Sequence, residues 1–289
     1  MSSARQAHSP PLPTVQFHGK WPFTRILGIQ EPFSVLFSLL NLLAHQNGLV
    51  RLRANIPANY PYLAYYSALA HFSTAAWIFS AIFHTRDFLL TERLDYFAAG
   101  ASVMYGFYYT PIRVFRFAHA TSITSNSHSH SRFPSSTSTS PPLRLLLLRP
   151  WSILCLALYT AHISYLTLWK WNYAYNIAAN VVIGITQNAL WSWDALRRYR
   201  KFGQAWAAWP GLITAWILLA MGFELLDFPP WCGLDAHSLW HAGTIGPTIW
   251  WYTFLIKDAK EDMLAQRGGD SEREKTAAKE RGGGFGRVD

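Results

Sequence analysis

The apolar residues of this chain fall into blocks of about membrane-spanning length, and that feature narrows its fold more than any other. A bilayer core takes about 20 predominantly apolar residues as a helix, because only helices and closed barrels satisfy their own backbone there. Seven blocks meet the description: Phe33 to Val50, Tyr62 to Phe83, Tyr96 to Ile112, one within Leu143 to Leu168, Tyr173 to Trp193, Ala207 to Leu226, and His237 to Ile256. Arg51 and Arg53 stop the first, and Asp227-Phe228-Pro229-Pro230 ends the sixth, since tandem prolines cannot continue a helix. With 51% of residues hydrophobic and only 14% charged, the chain does not read as soluble domains. The fold class predicted is all-α, a polytopic bundle of seven transmembrane helices.

Organisation follows from the same pattern. Residues 1–32 read as an aromatic leading segment at the lumenal interface, and residues 33–257 as the membrane domain. Residues 113–142 read as a disordered cytosolic insert, because their Ser/Thr/Pro/His composition cannot build a packed core. Residues 258–289, charged and Gly-rich, read as a disordered cytosolic tail. Met1 to Thr14 carry no apolar h-region, so no cleavable signal peptide is predicted. The only cysteines are Cys155, inside an apolar block, and Cys232, in a loop, which argues against a bridge.

Charge then sets orientation. Arg51 and Arg53 follow the first span, Arg113, Arg116, Arg132, Arg144 and Arg149 lie about the loop after the third, and Arg197, Arg198, Arg200 and Lys201 follow the fifth. The opposite loops hold only Arg86, Arg93 and Lys170. Basic loops stay cytosolic, so the N-terminus is predicted to be lumenal and the C-terminus cytosolic. The net charge of +9 thus belongs to loops and tail rather than to a nucleic-acid surface.

That orientation brings distant polar residues to one depth. His237 and His241 are four apart and share a helical face. A histidine pair alone is a weak signal, serving interhelical hydrogen bonding more often than metal ligation. The topology adds His84 at the lumenal end of the second span, Asp95 at the start of the third, and Ser80 one turn before His84. Three imidazoles and a water form a common catalytic zinc set. Asp95 is the candidate acid-base, and Ser80 the hydroxyl that orients the water or donates to an oxyanion. His45, His71 and His162 read as hydrogen-bonded histidines, with His162 the substitute should one of the three fail. His128 and His130 read as part of a solvated loop. Asp235 reads as a helix cap or a histidine's partner, and Glu224 as a polar pair or a headgroup contact. No Gly-rich phosphate loop or paired-cysteine motif points to a nucleotide or redox cofactor.

Several ordered motifs carry a resemblance. Gly19-Lys20-Trp21-Pro22-Phe23 with Gln30-Glu31-Pro32, Phe83-His84-Thr85-Arg86-Asp87, Leu94-Asp95-Tyr96-Phe97, Tyr173-Ala174-Tyr175-Asn176, Glu224 to Pro230 and Leu234 to His241 resemble the Per-one-like family, also called post-GPI-attachment-to-proteins factor three. The likeness spans about Phe17 to Phe254 apart from the insert. It implies membership of the CREST superfamily of seven-span, metal-dependent lipid hydrolases, whose serine, aspartate and three histidines fall on Ser80, Asp95, His84, His237 and His241. It also implies GPI-anchor lipid remodelling in the ER or Golgi membrane: phospholipase A2-like removal of the sn-2 acyl chain from GPI-anchored proteins, with Zn2+ as cofactor. A ceramidase-like lipid amidase and a non-enzymatic receptor or chaperone for GPI-anchored proteins are the alternatives. Family precursors carry a signal peptide and a Cys-rich segment ahead of the Gly-Lys-Trp-Pro-Phe motif; neither precedes it in the sequence given, so either the fold needs neither and insertion depends on the first span, or the start is truncated.

Overall fold

Helices make up the computed structural model, which describes residues 21–23, 25–117, 143–230 and 234–282. Among the described residues seven α-helices follow in order: α1 Pro32–Asn55, α2 Leu63–Thr85, α3 Leu89–Val114, α4 Leu143–Ser164, α5 Tyr173–Phe202, α6 Trp209–Leu226 and α7 Ala236–Gly282. A π-helical turn, Tyr165–Trp169, continues α4, and a 3-10 turn, Ala205–Ala208, leads into α6. Local chemistry fixes the ends. Pro32 opens α1, where its missing N–H costs nothing. Asn172 accepts from the Tyr175 N–H at the start of α5, and Gly203 closes that helix in the left-handed region at φ 64°. Asp235 caps α7 reciprocally: its carboxylate accepts the Ser238 N–H at 2.8 Å while its own N–H donates to the Ser238 hydroxyl at 3.0 Å. The cap reading of Asp235 therefore holds.

Packing runs α1 on α2, α2 on α3, α3 on α5, α5 on α6, α6 on α7 and α7 back on α1, while α4 lies outside against α3. Polar groups point into this ring. Ser34, Ser38 and Asn41 repeat along one face of α1 and are buried against α7. Asn41 donates to the His241 carbonyl at 2.8 Å, and further along His45 pairs with the Tyr252 hydroxyl at 2.8 Å. Gly48 lets the Tyr252 ring lie on α1, since a Cβ there would come within 2.2 Å of it. Apolar side chains point outward instead: Ile153, Leu156, Val182 and Leu219 are all exposed. Among the described residues four helices, Pro32–Asn55, Leu63–Thr85, Leu146–Trp169 and Ala205–Leu226, are long and apolar enough to cross a membrane.

Two boundaries differ from the sequence reading. Arg113, assigned to the disordered insert, lies inside α3 and is buried. The last helix does not stop near Ile256 but runs on to Gly282, across the stretch read as a disordered tail. Ion pairing accounts for the burial of Arg113 and for the first turns of α7 beyond Ile256. Asp258 and Asp262 on α7 are buried against Arg113 and Arg116, at 2.6 and 3.3 Å, so charges that read as solvated hold helices together. Residues 118–142, with His128 and His130, and Cys232 lie outside the described residues.

Candidate metal centre

The histidines converge at the end of the ring formed by the C-terminus of α2 and the N-termini of α3 and α7. On α2, Trp77, Ser80 and His84 share a face. His84, His237 and His241 each offer a ring nitrogen within 4.8 Å of the others, a group able to hold a metal ion. Their ring centroids are 5.0, 5.0 and 4.5 Å apart, and the Trp77 indole meets His241 edge-on at 5.1 Å.

Each imidazole is tied through Nδ1. The Nδ1 of His84 lies 2.6 Å from Glu31 Oε2, and that of His237 lies 2.6 Å from Glu224 Oε2. A carboxylate only accepts, so each Nδ1 donates, and in the neutral imidazole each Nε2 then carries the lone pair. The Nδ1 of His241 faces the Ser34 carbonyl at 3.4 Å and the Ser38 hydroxyl at 3.1 Å. Ser38 in turn donates to the Ser34 carbonyl at 2.7 Å, which makes His241 Nδ1 a donor too. The Nε2 atoms of His84 and His237 stand 3.3 Å apart. Two lone pairs at that distance repel unless a cation lies between them. Ligands about 2.0–2.1 Å from a tetrahedral zinc have an edge of about 3.3 Å, so the residues fit the ion that the donor set implies.

Asp95, from the first half of α3, is 9% exposed and accepts no hydrogen bond among the described residues. A buried carboxylate without a donor is costly unless a ligand or water serves it. Ser80 does not touch a histidine. Its hydroxyl lies 3.0 Å from that of Ser38, one link away from His241 Nδ1.

The structure thus brings His84, His237 and His241 together as expected, with Asp95 and Ser80 at the same end. The other histidines stand apart. His45 bonds Tyr252, His162 lies 3.3 Å from Tyr175 and 3.1 Å from Asn176, and His71 is exposed beside Arg53. Glu224 resolves as a histidine partner. Sequence reasoning missed Glu31, whose position has a clear origin. The N–H groups of Gln30 and Glu31 donate to the carbonyls of Thr85 and His84 at 3.1 and 3.0 Å, satisfying the end of α2. That staple sets the Glu31 carboxylate on His84, and Trp21 of the same segment donates to Asp227 at 2.9 Å.

A family model described as the Per1-like family matches residues 1–259. The chain is 38% identical over 256 residues to the Protein PER1 homolog of Schizosaccharomyces pombe, covering 87% of this chain and 70% of that protein. It is 39% identical over 247 residues to the GPI-specific phospholipase A2-like PGAP3 of Mus musculus, covering 84% and 68% respectively. The Homo sapiens protein of the same name is 36% identical over 249 residues, with the same coverage. Glu31, His84, Asp95, Glu224, His237 and His241 all fall within the matched residues, and the chain belongs to the Per1-like family.

Proposed function

We propose that this protein remodels GPI anchors in the ER or Golgi membrane, hydrolysing the sn-2 acyl ester of the anchor lipid in the manner of a phospholipase A2. All seven helices cross the bilayer in this reading, with the histidine end lumenal and the end bearing Arg113, Arg197 and Arg198 cytosolic. The observation that carries it is the convergence of three imidazoles, each tied through Nδ1, beside a buried carboxylate that no donor among the described residues serves. The printed names of the relatives supply the substrate class.

His84, His237 and His241 would hold a zinc ion, which would supply Lewis-acid polarisation of the ester carbonyl and a water of near-neutral acidity. Asp95 takes the proton from the attacking water and returns it to the departing glycerol oxygen. The water oxygen ends on the acyl carbon, the ester C–O bond breaks, and a fatty acid and a lyso-anchor leave. Ser80, whose hydroxyl proton goes to Ser38, orients the attacking water by accepting from it. Glu31 and Glu224 are positioning residues that hold the imidazole tautomers. Asp235 caps α7 and His162 lies among Tyr175 and Asn176. Neither fills a fourth ligand position, which supports a catalytic site over a structural one.

The test uses a GPI-bearing substrate labelled separately in its sn-1 and sn-2 chains, incubated with the purified protein. Release of the sn-2 label alone by wild type, and of neither label by His84→Ala, is the expected result. Equal release by the His84→Ala protein, or release of the sn-1 chain, would overturn the proposal.

A further inference from the structure

At the other end of the ring lies a second polar assembly, which the proposed hydrolysis does not use. Asp262 stands about 30 Å along α7 from His241 at 1.5 Å per residue, close to the thickness of a hydrocarbon core. A cavity of about 510 Å³ opens there between the ends of α3, α5 and α7. That volume suits a small polar ligand. Its walls carry Arg113, Arg116, Arg197, Arg198 and Lys201.

The carboxylates about it do not offset that charge. Asp258, fully buried, serves two arginines at once, taking Arg113 at 2.6 Å on one oxygen and Arg198 on the other. Asp262 takes Arg116 at 3.3 Å, and Asp194 takes Arg197 at 2.6 Å. With Glu261, four carboxylates face five cations. Each guanidinium has five donors, and a single carboxylate occupies at most two of them. The side chains of Arg116 and Arg197 are 49% and 52% exposed, and among the described residues each has one carboxylate partner, which holds one edge and leaves donors for a ligand.

We propose that this cavity binds a phosphomonoester group, carried by an anionic lipid headgroup or by a free inositol phosphate. The group sits between Arg116 and Arg197, and the Arg113–Asp258–Arg198 pairing behind it keeps α3, α5 and α7 at the required spacing. In the orientation proposed above this face is cytosolic, where negatively charged headgroups gather. The site is separate from the histidines, and its occupancy is read by binding, so failure of the hydrolase reading leaves it testable.

The experiment is native mass spectrometry of the full chain in detergent, titrated with dioleoyl phosphatidylinositol 4-phosphate, dioleoyl phosphatidylcholine or soluble inositol 1,4,5-trisphosphate. Arg116→Gln/Arg197→Gln removes the open donors and leaves the buried pairing intact. Arg51→Gln, on α1 and bonded to Thr253, is the control. The phosphorylated lipid is expected to bind wild type and Arg51→Gln alike and the double variant about thirtyfold more weakly, at about 1 kcal/mol per arginine. If inositol trisphosphate shows the same loss, a free phosphate compound is a sufficient ligand; if only the lipid does, the ligand is the membrane headgroup. Either supports the site. Phosphatidylinositol phosphate binding no tighter than phosphatidylcholine, or binding unchanged in the double variant, overturns it. Should the double variant melt earlier than wild type, Arg116→Gln alone carries the same comparison.

Discussion

Replacing Glu31 should weaken metal binding without removing a ligand, and the structure sets how much. The Glu31 carboxylate is 2.6 Å from His84 Nδ1 in a pair whose side chains are 7% and 2% exposed. Glu224 holds His237 at the same distance, but there the side chains are 18% and 37% exposed. A charged acceptor raises the basicity of the opposite ring nitrogen, and loss of such a partner typically costs about 10–100-fold in metal affinity, or about 1.4–2.8 kcal/mol. Water can replace a lost acceptor at the wetter Glu224 but not at Glu31, so Glu31 should lie at the upper end of that range. Glu31→Gln keeps an accepting oxygen and loses the charge, whereas Glu31→Ala loses both. Zinc affinity measured by competition with a fluorescent chelator should therefore fall in the order wild type, Glu31→Gln, Glu31→Ala, with Glu224→Ala between wild type and Glu31→Ala. A folded Glu31→Ala protein that binds zinc within about twofold of wild type would refute the tautomer argument.

Three further outcomes follow from the same structure. Asp95→Asn should keep its zinc and lose about 10²–10⁴-fold in fatty-acid release, because it removes the acid-base and no ligand; the check is a turnover assay beside metal analysis. Asp258→Asn leaves Arg113 and Arg198 facing a neutral amide in a buried site, and thermal unfolding in detergent should show a loss of about 3–5 kcal/mol. Gly48→Ala should destabilise by about 1–3 kcal/mol, since the added Cβ meets the Tyr252 ring and the two helices must part; calorimetry reads it directly.

Much of the site was legible because ionisable residues are rare inside apolar blocks. His237 and His241 stand out for that reason, His84 and Asp95 flank the second and third blocks, and charge asymmetry between loops was enough to expect all four at one end. Their partners were less legible for a physical reason. Glu31 precedes the first block and meets His84 only because two backbone hydrogen bonds staple the leading segment to the end of α2. No periodicity encodes that contact. Glu224 was visible as a charge within a span, yet its partner lies across a proline-containing turn. The basic end was misread in the opposite sense. Arg113 and Asp258 look solvated when each is taken alone, and their burial follows only once α3 and α7 are known to meet. Ser80 falls on the expected face, but its link to His241 runs through Ser38, which no motif had singled out.

The central claim is a metal-dependent hydrolysis, and the most direct measurement pairs two readings on one sample. Zinc per chain and fatty-acid release from a GPI-bearing substrate are determined for purified wild type and for His237→Ala/His241→Ala. About one zinc per chain in wild type, with zinc and activity lost together in the variant, is the result this account expects. Active wild type without zinc, or release unchanged in the folded variant, would contradict it.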